Sequence, residues 1–164
     1  MTQTLPRWDL SNVYPGLESP EFKAAMADFT RQLQELEAFL SGRVAGADAH
    51  TPLATLAELV GEAILRFNAA YELADTIRPY IISFVATDSR DALARRRLSE
   101  FELVAVRLRT LGTQFQAWIG RLTPVLEEVI TANPTAGAHA FALREAAEQS
   151  RFLMSEVKRR WPPS

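Results

Sequence analysis

Cysteine is absent from this chain of 164 residues, and histidine occurs only twice. Without cysteine there is no disulfide framework and no thiolate chemistry, which points to a reducing compartment. The two histidines are His50, in a small-residue loop, and His139, near the start of the last helical segment. A zinc protease motif on a helix needs His, Glu and His at i, i+1 and i+4, so that both imidazoles face one ion and the carboxylate can act as base. The run His139-Ala140-Phe141-Ala142-Leu143 has neither the Glu nor the second His. There is also no Gly-x-Ser-x-Gly elbow and no glycine-rich phosphate loop. The expectation is a chain with no catalytic and no metal-binding residue of its own, and no bound zinc.

No basic leader followed by an apolar run opens the sequence, and nowhere do about eighteen uncharged apolar residues follow one another. A cytoplasmic protein with no membrane partner is expected. Charge of one sign is also lacking: 18 basic residues against 20 acidic ones leave a formal charge of −2, so no global field draws the chain to nucleic acid. The basic run Arg95-Arg96-Arg97 fans over about 200° of a helix and reads as a solvated face, with Asp91 placed to neutralise Arg95. The carboxylate pairs Glu100 and Glu102, Glu127 and Glu128, and Glu145 and Glu148 read as solvated too, the last with Arg144 and Arg151 as neighbours.

No period-two alternation of useful length is present, so strands are not expected and the 3.6-residue period dominates. Ser19-Pro20-Glu21 combines an N-cap, a proline at N1 and an early acid. It opens the apolar series Phe22, Met26, Phe29, Leu33, Leu36 and Leu40, which ends near Ser41-Gly42. After a loop over residues 41–52, Thr51-Pro52 repeats the cap-then-proline signal. A second stripe then runs through Leu56, Val60, Ile64, Phe67, Tyr71, Ile77 and Ile81, with Pro79 expected to kink it. Thr87-Asp88-Ser89 supplies capping oxygens for a third series, from Leu93 through Phe101, Leu108 and Phe115 to Leu122. Two helices of this length joined by a short turn make an antiparallel hairpin. A short helix from Thr123-Pro124 and a last one from 136 to about 160 complete a single helical domain, 1–164. The expected class is all-α, an elongated helical bundle with a long antiparallel helix hairpin and a stapled N-terminal arm.

That arm is Arg7-Trp8-Asp9-Leu10-Ser11-Asn12-Val13-Tyr14-Pro15-Gly16. Pro15-Gly16 fits a type II turn, in which the glycine takes a positive φ. Leu10 to Tyr14 fits one helical turn with Trp8, Leu10 and Val13 facing apolar surface. Trp8 and Tyr14 are the expected anchors of the arm, largely buried on the bundle. On the last helix, Ala142, Leu143, Ala146, Ala147, Ser150, Leu153, Met154 and Val157 share the face expected to pack on the bundle. Phe141 and Phe152 stand nearly in line on the opposite side, as a candidate interface.

Taken in order, Trp8 to Pro15, then Ser19-Pro20-Glu21-Phe22, the Thr87-Asp88-Ser89 turn, Phe115-x-x-Trp118, and His139-Ala140-Phe141-x-Leu143-Arg144 through Leu153-Met154-Ser155-Glu156 resemble the N-terminal domain of oligoendopeptidase F, in the M3 family of zinc metallopeptidases. The resemblance covers about residues 7 to 156. It implies a helical lobe that helps wall a deep peptide cleft, with zinc and its HExxH helix in a domain far downstream that this chain lacks, so no catalytic or metal residue carries over. Implied partners are a catalytic M3 domain or a second copy of the chain, and short peptides only in a complete enzyme. The closing Val157-Lys158-Arg159-Arg160-Trp161-Pro162-Pro163-Ser164 departs from the acidic helix expected there, which leaves a truncated gene, a split enzyme or a cut chain. The alternative function is a freestanding helical module that binds a protein partner.

Overall fold

The computed structural model describes the backbone of residues 10–160 and the side chains of residues 10–150. Among the described residues, six α-helices pack on one another: α1 (Pro20–Phe39), α2 (Leu53–Thr87), α3 (Ala92–Arg121), α4 (Leu126–Ala132), α5 (Pro134–Ala138) and α6 (Ala140–Arg160). Among the described residues there is no strand, and no helix is long and apolar enough to cross a membrane.

Helix α1 starts where its cap chemistry places it. The Ser19 hydroxyl accepts from the Phe22 N–H at 3.2 Å, and Pro20 occupies the first turn, where no donor is missed. Phe22, Phe29, Leu33 and Leu36 are fully buried along one face. The helix does not stop at Ser41-Gly42. Its last turn widens into a π-helical segment, Leu40–Val44, which buries Leu40 and Val44, so the loop proper begins only at Ala45.

The next two caps differ from the local reading. Thr51 does not cap α2; its hydroxyl accepts from the Asp48 N–H at 3.1 Å, closing the loop on itself. Asp88 accepts from the Arg90 N–H, and Asp91 is the cap of α3, accepting from Ala94 N–H at 2.9 Å. Asp91 therefore satisfies backbone rather than Arg95. Helix α2 runs through Pro79 as one element of 35 residues, about 50 Å long.

Helices α2 and α3 form the hairpin, and its register is antiparallel. Phe67 meets Phe115 with ring centroids 5.2 Å apart, and Arg78 donates to Glu102 at 2.9 Å. Helix α1 lies along this pair: Phe22 contacts Tyr80, and Phe29 stacks on Phe101 at 5.4 Å. The middle of α2 is buried on several sides, at Leu56, Leu59, Val60, Ala63, Ala70 and Ile77, because α1, α3, α4 and α5 all pack on it. Leu53, at the start of α2, and the stripe member Tyr71 stay exposed.

Two glycines set close approaches. A Cβ on Gly61 of α2 would lie 2.5 Å from the side-chain nitrogen of Asn133, the residue that caps α5 by accepting from Ala136 N–H. A Cβ on Gly120 of α3 would lie 1.9 Å from the Ser150 hydroxyl of α6. The expected last helix is in fact two, because the chain leaves helical geometry at His139, between α5 and α6. On α6, Leu143, Ala147 and Ser150 are buried as that face requires, whereas Ala142 is exposed. Leu153, Met154 and Val157 lie among the residues whose side chains are not described.

Candidate functional site

The described part of the arm is held by ring contacts and by a hydrogen bond to its backbone. Residues 10–14 form one turn, with the Leu10 carbonyl accepting from Val13 N–H at 2.9 Å. Tyr14 is half-buried, edge-on to Phe22 and Tyr80 at 5.6 and 5.0 Å, and burial raises its hydroxyl pKa. The Tyr80 hydroxyl, on the deeply buried partner, donates to the Tyr14 carbonyl at 2.8 Å. Leu10 packs on the core while Val13 remains 40% exposed. Trp8 lies outside the described residues. The type II turn is not formed: no glycine among the described residues has a positive φ, and the hydrogen-bonded reversal is Gly16 to Ser19, where Ser19 N–H donates to the Gly16 carbonyl. Leu17, buried, carries the chain into α1.

Arg97 is the residue that local reasoning missed. Far from belonging to a solvated run, its side chain is only 16% exposed and forks three ways. It donates to the Leu17 carbonyl at 3.3 Å, to Glu18 at 2.5 Å and to Glu100 at 2.7 Å. The planar guanidinium suits this task because its donors point in fixed directions. Only the spatial return of the arm to α3, eighty positions away, makes it visible. The Arg97 hydrogen bond, aided by the charge of Lys23, holds the Glu18 carboxyl below the usual carboxylate range. A depressed folded-state pKa contributes stability above the ordinary glutamate value, and that contribution disappears as pH falls through the folded value. The melting temperature of the native chain should therefore exceed that of Arg97→Gln at neutral pH, and the gap should narrow as pH drops below about 4. A gap independent of pH would assign the role of Arg97 to Leu17 alone.

A groove of about 380 Å³ lies between α2, α3 and α6. Its floor is apolar, built by Ile64 and Phe67 of α2, Phe115 of α3, and Leu143 and Ala146 of α6. Four aromatic rings continue one another beneath and beside it: Tyr71 on Phe67 at 6.3 Å, Phe67 on Phe115, and Phe115 on Trp118 at 5.9 Å. The rim is mostly uncharged and hydrogen-bonding. Gln116 donates to Gln149 at 3.0 Å, and Gln149 in turn donates to Glu145 at 2.9 Å. His139 closes one end, its Nδ1 3.0 Å from the Thr135 carbonyl and its Nε2 3.4 Å from the Asn68 amide nitrogen. A carbonyl can only accept, so Nδ1 carries the proton and Nε2 is left as an acceptor facing Asn68.

His50, in contrast, is exposed in the loop, and its backbone N–H is bound to Asp48. Among the described residues no three His, Asp or Glu side chains come together in a group that could hold a metal ion. Arg144, expected beside the Glu145 and Glu148 pair, grips Glu127 of α4 through two bonds of 2.8 Å, and that contact lowers the pKa of the Glu127 carboxyl.

Phe141, on the far side of α6 from its buried face, is 79% exposed, and no described part of the arm covers it. Phe152 lies on the same helix, beyond the residues whose side chains are described. No protein-family model, curated protein or solved structure matches the chain.

Proposed function

We propose that this chain is the non-catalytic N-terminal helical lobe of an M3-type oligoendopeptidase, one that shapes a cleft for short peptides while the zinc chemistry resides in another domain. The groove between α2, α3 and α6 carries this reading. Its apolar floor accepts side chains, while neutral amides at Asn68, Gln116 and Gln149 match the alternating donors and acceptors of a peptide backbone. The clamped arm supports the reading further, since it ties the start of the lobe to the hairpin through Tyr80 and Arg97. A peptide-cleavage assay with a quenched fluorescent substrate tests the proposal. The chain alone should be inactive, and turnover should appear when it is combined with an HExxH-bearing segment encoded beside it. Chelator-sensitive turnover by the chain alone would overturn it.

A second reading, a freestanding module that binds a protein partner, rests on Phe141. An aromatic ring exposed to this degree on the outer face of a packed helix suits contact with a partner surface. Phe141→Ser should then abolish partner capture without changing helicity.

A further inference from the structure

Helix α3 presents an unusual outer face. Ser99, Leu103, Val106, Thr110, Thr113 and Ala117 are all exposed, and they follow one another at steps of four, three, four, three and four. At 100° per residue they fall within a stripe about 80° wide, diametrically opposite the buried Phe101 and Leu108. This is the a/d pattern of a coiled-coil seam, sustained without a charge over about 27 Å. Leu103 is 76% exposed and Val106 49%. The polar members are already served from within: the hydroxyls of Ser99, Thr110 and Thr113 donate to the carbonyls of Arg95, Val106 and Arg109. Covering the seam therefore leaves no hydroxyl donor without a partner.

We infer that this face is a self-association seam, on which a second copy of the chain lays its own α3 antiparallel, with Leu103 of one copy against Val106 of the other. The flanking charges select both occupant and register. On one side of the stripe stand Arg95, Glu102 and Arg109, and on the other Glu100, Arg107 and Gln114. With Leu103 opposite Val106, Glu102 faces Arg109 and Glu100 faces Arg107, each pair occurring twice by symmetry; the second pair would be shared with contacts inside the chain, since Glu100 already accepts from Arg97 and Arg107 donates to Glu37. Sliding the second helix by one heptad in either direction sets like charges together: Arg109 on Arg109 and Arg107 on Arg107 one way, Glu102 on Glu102 and Glu100 on Glu100 the other. A parallel arrangement also matches the flanks, but it stacks Arg96 of one copy on Arg96 of the other, whereas the antiparallel one turns Arg96 toward Thr113. Among the described residues, exposed Arg109 makes no ion pair, and Glu102 pairs through one carboxylate oxygen, on Arg78. Both remain free to pair across the seam. The association is independent of the peptide groove and of Phe141, which lie on other faces.

The chain has no cysteine, so cross-linking is clean. Sedimentation equilibrium from micromolar to millimolar concentration should show a reversible dimer for the native chain. Leu103→Glu should be monomeric throughout, with helicity unchanged because that side chain touches solvent in the monomer. Mixing Leu103→Cys with Val106→Cys under mild oxidation should trap mixed dimers, in excess of either variant linked to itself. A native chain that stays monomeric at millimolar concentration overturns the inference. So does a dimer that survives Leu103→Glu but is lost in Phe141→Ser, which would move the contact to α6. Preferential self-linking of Leu103→Cys overturns the antiparallel arrangement.

Discussion

Replacing Trp118 with Ala is expected to cost on the order of 3 to 5 kcal/mol, the range for emptying a large aromatic site. The indole is 1% exposed and lies between the hairpin and the loop that joins α1 to α2. Its N–H donates to the Ala47 carbonyl at 2.9 Å, so one side chain both fills the core and satisfies a buried backbone acceptor. Trp118→Phe separates the two contributions. The ring volume is then largely kept, and the remaining loss of about 1 to 3 kcal/mol belongs to the unpartnered Ala47 carbonyl. Urea denaturation followed by circular dichroism measures both. If the two variants unfold at the same denaturant concentration, the hydrogen bond and not the packing is what Trp118 supplies.

Gly120→Ala is the second large effect, and two opposing forces act on it. Alanine favours the helical state over glycine by about 1 kcal/mol. Against that, the added methyl would sit 1.9 Å from the Ser150 Oγ and 2.5 Å from its Cβ. The Oγ can rotate away, but the Cβ is fixed to the backbone of α6. Helix α6 must therefore shift off α3, and overpacking of this kind costs about 1 to 3 kcal/mol. We expect a net loss, with much of it recovered in the double variant Gly120→Ala, Ser150→Gly, which removes both colliding atoms. A double-mutant cycle by thermal or urea melts should return a coupling above about 1 kcal/mol. Additive effects would mean that α6 does not rest on α3 at this point.

Helix existence, the class and the hairpin were all legible in the residues. Period and local capping act over a few positions, and Ser19 with Pro20 is a signal that neighbouring residues alone complete. Even so, local chemistry misassigned several polar groups. Thr51, Asp88 and Asp91 all have oxygens that suit a helix start, and which one caps depends on where the loop closes. Pro15-Gly16 permits a left-handed turn residue, yet the arm reaches Leu17 with no positive φ. The groove could not be read in advance, since its walls come from residues near 67, 115 and 143, and helix periodicity says nothing about which helices flank one another.

From the chain's own order of residues came the α-helical class, the start of α1, the apolar faces of α2, α3 and α6, and the expectation that Phe141 would point away from the buried side of its helix. All of these depend on the fixed angular step of the helix and on hydrogen bonds spanning three or four residues. Tertiary structure decided the rest. It turned Arg97 from one member of a basic run into the clamp on Leu17 and Glu18, paired Arg144 with Glu127, split the final helical segment at His139 and let Gly120 admit Ser150. Each of these joins groups between 17 and 80 positions apart or hinges on how two helices cross. The physical reason is that a guanidinium, a carboxylate or a missing Cβ has many partners available along a chain, and only the packing of the apolar faces brings one of them within bonding distance.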